Sequence, residues 1–323
     1  MTDKRKKPLV ILTGPTAVGK TELSVRLAKR INGEIISADS MQVYRRMDIG
    51  TAKIMPDETD GVPHHLIDIL EPTEEFNVYL FRELAQKAMN EIYSRGAVPI
   101  ITGGTGFYIQ SVLYDIDFTE TDTDTVYRAE LAKLAEKNGA DFLHEMLAKV
   151  DSESAAAIHP NNVRRVMRAL EYHRQTGKKM SEHNSEQSAK ESPYNFVYFV
   201  LNDERAAIYE RIDRRVDAMI ENGLLGEVKS LLSEGCDKSL VSMKGLGYKE
   251  IIDYYNGETT LEEAVRILKR DTRHFAKRQL TWFKRERDVT FVNINEFDGG
   301  SREEIQHAVL EHMTKILYDK NIM

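Results

Sequence analysis

The residues best placed to do chemistry are Gly14-Pro15-Thr16-Ala17-Val18-Gly19-Lys20-Thr21, which spell the string G-x-x-x-x-G-K-[ST]. Glycines at both ends let successive backbone N–H groups curl toward one centre. A helix that follows adds positive potential there, and Lys20 brings a point charge for a phosphate. Thr21 offers a hydroxyl to a magnesium ion. The chemistry is anion capture, and the string alone leaves open which phosphorylated molecule is held, because kinases, switches, ATPases and some transferases all use it.

Such a loop works only between a strand and a helix. Leu9-Val10-Ile11-Leu12 reads as a short buried strand, and Leu23, Val25, Leu27, Ala28 and Ile31 recur at helical spacing behind Thr21. Residues 34–38 read as a second strand, ending in Asp39-Ser40-Met41-Gln42-Val43-Tyr44. Ligands of an open parallel sheet gather at the carboxyl ends of its strands, so Asp39 falls near the loop as a candidate base or metal-side carboxylate. An Asp before a Ser and a turn is equally a common cap. Residues 98–101 make a third strand, and at its end stand Gly103-Gly104-Thr105-Gly106. Most ATPases and switches would carry a Walker B aspartate at such a place.

The rest of the chain alternates in kind. Residues 47–73 are loop-rich, and the adjacent His64 and His65 would point to opposite faces of a strand, so positioning is expected of them rather than ligation of one ion. A helix is predicted over 76–95. Residues 115–125 are rich in Asp and Thr and read as a linker. Helical patterns follow over 126–138, 141–150, 152–158 and 162–176, then a polar loop over 182–192 and a strand over 194–201. The expected fold is α/β, a P-loop parallel sheet flanked by helices over 1–115 and 193–323, with an all-helical insertion over 116–192. Beyond it come a helix over 204–222 with Arg211 and Arg215 on one face, a glycine-broken turn over 243–250, a helix over 261–287 and an amphipathic tail over 301–317.

Composition sets limits. The 323 residues are 41% hydrophobic and 30% charged, with one cysteine, Cys236. An intrachain disulfide and a cysteine zinc cluster are excluded, which suits a reducing cytoplasm. No apolar run is long enough for a membrane span, and the Lys-Arg start is followed only by the first strand. The formal net charge of −7 argues against wholesale nucleic-acid binding. Charge is nevertheless concentrated locally. Residues 269–287 hold eight Lys or Arg against Asp271 and Glu286, and residues 163–179 hold six against Glu171. In the first of these stripes Trp282 and Phe283 interleave with the bases, as stacking side chains or as core anchors.

Several blocks together resemble the bacterial tRNA dimethylallyltransferases. They are residues 14–21, 37–44, 47–53 (Met47-Asp48-Ile49-Gly50-Thr51-Ala52-Lys53), 63–68, 103–108, Arg168-Ala169-Leu170-Glu171, Gly247-Tyr248-Lys249 and 276–283, in order and spanning nearly the whole chain. The resemblance implies transfer of a dimethylallyl group from dimethylallyl diphosphate, with magnesium, to the exocyclic amine of the adenosine 3′ of the anticodon in tRNAs that read U-initial codons. The loop Gly14, Pro15, Thr16, Ala17, Val18, Gly19, Lys20 and Thr21 would then hold the diphosphate, Thr21 facing Mg2+. Asp39 would accept the amine's proton, Thr16 would meet the bridging oxygen and Arg215 would stabilise the departing diphosphate.

The resemblance also assigns contacts with tRNA. These are Asp39, Ser40, Met41, Gln42, Thr105 and Arg128; Arg164, Arg165, Val166, Met167 and Arg168; Lys244, Gly245, Leu246, Gly247, Tyr248 and Lys249; and Lys277, Arg278, Gln279, Leu280, Thr281, Trp282, Phe283 and Lys284. The adenine would be extruded into a channel, the insertion gripping the anticodon stem-loop and the protein acting as a monomer. Val18 stands where many members have Ser, at a position facing away from catalysis in most P-loops, and the zinc finger of the eukaryotic members is absent. Rival readings are a P-loop small-molecule kinase, an RNA-binding NTP switch, for which no N-K-x-D occurs, and an adenylate isopentenyltransferase using free AMP or ATP.

Overall fold

A computed structural model describes residues 6–116 and 125–323. The chain divides into two compact units, Met1–Leu113 together with Pro193–Met323, and Tyr114–Ser192. The elements of the first part are β1 (Lys7–Thr13), α1 (Lys20–Ile31), β2 (Gly33–Ser37), β3 (His64–His65), α2 (Val78–Ser94), β4 (Val98–Gly103) and α3 (Gly106–Leu113). The second unit holds α4 (Thr125–Asn138), α5 (Ala140–Val150), α6 (Ser152–Ala157), α7 (Val163–Thr176) and α8 (Met180–Ala189). The chain then returns through β5 (Tyr194–Asn202), α9 (Arg205–Glu221), α10 (Leu224–Ser233), α11 (Tyr248–Tyr255), α12 (Leu261–Phe283), β6 (Val289–Asn293) and α13 (Arg302–Asp319).

The six strands of the first unit form one sheet in the order β3-β2-β4-β1-β5-β6, every pair parallel. A parallel sheet is covered on both faces, so its strands carry unbroken apolar runs. Val10, Leu12, Ile35, Ile100, Val197, Phe199 and Leu201 face α1 and α13 in one core, while Leu9, Ile11, Ile36, Ile101, Tyr198 and Val200 are just as fully buried. The register pairs Thr13 with Gly103 and Ser37 with Thr102, so β1, β4 and β2 end level. Phosphate loop, glycine pair and Asp39 therefore emerge from one edge of the sheet, as Asp39's position after the second strand implied.

In the second unit Leu131, Leu143, Leu147, Ala155, Val166, Ala169 and Leu170 form the core. Two expectations change. The segment 182–192, read as a loop, is largely helical, because α8 runs over Met180–Ala189. It is polar all round, with no buried residue, and gains its start from Asp151. That carboxylate accepts the Ser181 N–H at 2.9 Å and the Ser181 hydroxyl at 2.7 Å, besides capping α6 through Ser154 N–H at 3.0 Å. The helix predicted to run to residue 287 ends at Phe283, and the chain turns into the unforeseen edge strand β6. The acidic linker falls mostly outside the described residues. Among the described residues no helix is long and apolar enough to cross a membrane.

Candidate functional site

The turn between β1 and α1 is held open by backbone geometry. Gly14 has φ 149°, Ala17 φ 63° and Gly19 φ 101°, three left-handed residues in six. A Cβ on Gly14 would lie 2.4 Å from the Leu201 carbonyl oxygen, so the loop leaves β1 pressed against the backbone of β5. The Lys20 ammonium folds back to donate to the carbonyls of Gly14 at 3.0 Å and Pro15 at 2.8 Å. Burial, and then the neighbouring Arg215, push Lys20 down from 10.5 to about 7, with Asp39 opposing the shift. Burial and the adjacent Arg211 lower Arg215 as well. Two buried, crowded cations with depressed affinity for their protons concentrate positive charge at this strand end.

Two helices hold this loop from behind. From α9, Arg211 donates to the Ala17 carbonyl at 2.9 Å and to Asp203 at 2.7 Å. Arg215, one turn on, lies 3.4 Å from the Thr16 hydroxyl. Ala17 packs into a small apolar cluster with Ile208 and Ile212 of α9 and Ala276 of α12. From α12, the Gln279 side chain accepts the Thr16 N–H at 2.9 Å and donates to the Gly104 carbonyl at 3.1 Å. The two helices are themselves tied by the ion pairs Arg273–Asp213 and Lys269–Asp217.

Asp39 stands beyond β2. Its Oδ1 accepts the N–H groups of Met41 at 2.8 Å and Gln42 at 3.3 Å, so it does cap a turn. Among the described residues its Oδ2 accepts no hydrogen bond. The capping and functional readings therefore use different oxygens. Thr105, after β4, donates its N–H to the Ala38 carbonyl at 3.3 Å and so sits beside Asp39. The Tyr108 hydroxyl, buried nearby, is pushed up by burial first and then by Tyr44 and Asp39.

The basic stripe of α12 separates into two faces. Lys269 and Arg273 are paired inward, whereas His274, Lys277, Arg278, Thr281, Trp282 and Arg285 line an open groove of about 370 Å³. Phe107, partly exposed, meets Trp282 edge to face at 6.4 Å. On α7, Arg164, Arg165 and Arg168 are exposed, while Arg128 of α4 makes a bidentate pair with the buried Glu171, both bonds 2.7 Å.

Four side chains expected at an RNA surface lie inside instead. Val166 belongs to the helical core, Phe283 and Tyr248 are fully buried, and Gln279 is 6% exposed. Val166, Gln279 and Phe283 fall on the inward side of helices whose neighbouring Arg and Lys face out, a distinction that a contiguous run of residues conceals. Tyr248 donates to Glu227 at 2.7 Å, and the same carboxylate accepts the N–H groups of Asp48, Ile49 and Gly50. Glu227 thus joins the 47–53 block to the 244–249 block. The pair Arg211–Asp203 and the roles of Glu227 and Gln279 carry no local signature. His65 bonds Glu34 at 2.7 Å and His64 the Val62 carbonyl at 2.8 Å, so the two histidines have separate partners.

Sheet order, loop and helix place the first unit among the P-loop α/β proteins, with the Asp39 carboxylate after β2 and two glycines, rather than an acid, at the end of β4. The comparisons with known proteins narrow this. The family model described as IPP transferase matches residues 42–286, and one described as isopentenyl transferase matches residues 7–71. A tRNA dimethylallyltransferase of Lachnoclostridium phytofermentans is 60% identical over 98% of this chain and 99% of its own. The crystal structure of a full-length tRNA isopentenylpyrophosphate transferase from Bacillus halodurans superposes with a TM-score of 0.73 at 46% identity, covering 98% of each chain. A eukaryotic dimethylallyltransferase acting on tRNA matches with a TM-score of 0.77 at 32% identity, over 89% of this chain and 74% of the other. The chain belongs to the IPP transferase family, the tRNA dimethylallyltransferases.

Proposed function

We propose that the protein transfers the dimethylallyl group of dimethylallyl diphosphate to the exocyclic amine of the adenosine 3′ of the anticodon, in tRNAs that read codons beginning with U. The observation that carries this reading is the pairing of a buried pair of cations at the phosphate loop with the Asp39 carboxylate beyond a neighbouring strand. Lys20 and Arg215 are crowded and depressed at one strand end, and Asp39 keeps an oxygen in hand at another. The family sets the class of reaction, and this pairing supports the residue roles proposed for its two halves.

In this reading the loop N–H groups and Lys20 take the terminal phosphates, and Arg215 and the Thr16 hydroxyl face the oxygen that leaves. Adenine's amine is a weak nucleophile because its lone pair is delocalised into the ring. Asp39 accepts its proton as the carbon–nitrogen bond forms, and the diphosphate departs with the bonding electrons. Among the described residues no cluster of three His, Cys, Asp or Glu could hold a metal by itself. A hydroxyl from Thr21, the diphosphate oxygens and water make a donor set suited to Mg2+, which keeps waters and binds through substrate phosphates. When bound, Mg2+ neutralises charge on the leaving group. The exposed faces of α7 and α12 supply cations for RNA, and the helical unit grips the anticodon stem-loop. The adenine leaves its stack to reach Asp39, since a stacked base is out of reach. We place the protein in the cytoplasm as a monomer, on its single cysteine and its family.

Radiolabelled dimethylallyl diphosphate supplied with Mg2+ tests the acceptor, offering unmodified tRNA, AMP and ATP in parallel. Label enters tRNA. Label in AMP but never in tRNA would overturn the reading, and ATP hydrolysis without transfer would favour a kinase. In the same assay Asp39→Ala slows single-turnover transfer by about 100-fold or more; an unchanged rate removes Asp39 as the base.

A further inference from the structure

Gln279 lies in a run expected to touch RNA, yet its side chain is 6% exposed and turned toward the loops. Both ends of its amide are used. The carbonyl oxygen accepts the Thr16 N–H at 2.9 Å, and the amide nitrogen donates to the Gly104 carbonyl at 3.1 Å. The partners dictate this orientation, because a backbone N–H only donates and a backbone carbonyl only accepts. Only a side chain with one donor and one acceptor on a planar fork satisfies both. Gly104 is shaped around it, since a Cβ there would lie 2.0 Å from the Gln279 nitrogen. This explains a glycine at the strand end where an acidic residue stands in most nucleotide-hydrolysing relatives of the fold.

What the amide joins is more informative than that it is buried. Thr16 is the loop residue whose hydroxyl faces Arg215, 3.4 Å away. Gly104 precedes Thr105, whose N–H holds the carbonyl of Ala38, the residue before Asp39. One side chain therefore spans from the phosphate loop to the strand end that carries the base. We propose that Gln279 is a positioning residue that sets the distance between the diphosphate clamp and the acceptor base, and that it does not contact tRNA. The proposal rests on the reaction given above. Displacement needs the amine, the allylic carbon and the leaving oxygen in line, and an error of about 1 Å in such an alignment costs about 100-fold in rate.

Gln279→Glu and Gln279→Ala separate this from a structural role and from RNA contact. At pH 8 both lower kcat by about 10- to 100-fold, with tRNA affinity close to wild type. As the pH falls toward 6, the ratio of wild-type to Gln279→Glu rates shrinks. A buried carboxyl group is protonated there, and the acid regains an O–H for Gly104 and a C=O for Thr16. The ratio for Gln279→Ala stays constant. A loss of tRNA affinity with kcat unchanged, or a Gln279→Glu ratio as flat as that of Gln279→Ala, overturns the proposal. Amide hydrogen exchange provides a readout free of activity: the peptide containing Thr16 exchanges faster in Gln279→Ala, while the core of α5 does not change. Equal exchange at Thr16 in wild type and variant also overturns it. Because exchange is measured whether or not the wild type transfers label, failure of the bridge and failure of the proposed reaction are told apart.

Discussion

Two sets of cations in this molecule share their chemistry and differ in their surroundings. Lys20 and Arg215 are crowded behind the phosphate loop, where burial lowers both. Arg164, Arg165 and Arg168 of α7 stand exposed in water. A desolvated cation interacts strongly with one compact anion at a fixed place, because little water competes for it. An exposed row interacts weakly at each point and is screened by salt, which suits a spread polyanion. Under the proposed function, burial suits one set to a diphosphate and exposure suits the other to a nucleic-acid backbone.

The sharpest way to break this comparison is Arg215→Met. If the buried set acts on the leaving group, transfer falls by about 100-fold or more, while tRNA affinity, measured by filter binding, is unchanged. A loss of tRNA affinity instead would erase the distinction between the two sets.

The pH dependence of diphosphate binding tests the same set more finely. Folding lowers Lys20 from 10.5 to about 7. The unfolded chain thus holds the extra proton between those values, so the residue costs stability below the window and the cost is recovered as the pH rises through it. A bound diphosphate returns the proton to Lys20. Binding is then tightest below about pH 7 and weakens by up to about 10-fold per pH unit above it, as titration calorimetry would detect. Lys20→Arg keeps its charge and flattens the profile.

The smallest effect belongs to the exposed row. Replacing Arg164, Arg165 and Arg168 together by Gln reduces the salt slope of tRNA binding by about 2, at about 0.7 per single-strand contact. Diphosphate binding does not change. An unaltered slope would return these arginines to the role of an ordinary solvated face.

Much of the site was legible because its signals are local. The phosphate loop needs only a strand, two glycines, Lys20 and Thr21 within one turn of chain, and Asp39 needs only to follow the second strand. The inward members of the runs expected to face RNA were not legible. Val166, Gln279 and Phe283 sit among exposed bases in sequence, and which side of a helix meets the core depends on what packs there. Glu227 was silent for the same reason, since its partners Tyr248 and the 48–50 backbone are assembled from separate elements. Helix α8 was missed because its start depends on Asp151, some thirty residues earlier in the chain.

By itself the amino-acid sequence determined the class of sheet, the anion loop, the candidate base and the presence of two basic stripes. These depend on periodicity, backbone freedom and charge, which neighbouring residues carry among themselves. Only the tertiary structure decided which cations are desolvated, which members of a stripe face outward, and why a glycine, Gly104, follows β4. Desolvation and close approach are properties of residues far apart in the chain, and the amide of Gln279 meets Thr16 and Gly104 only after β1, β4 and α12 have packed.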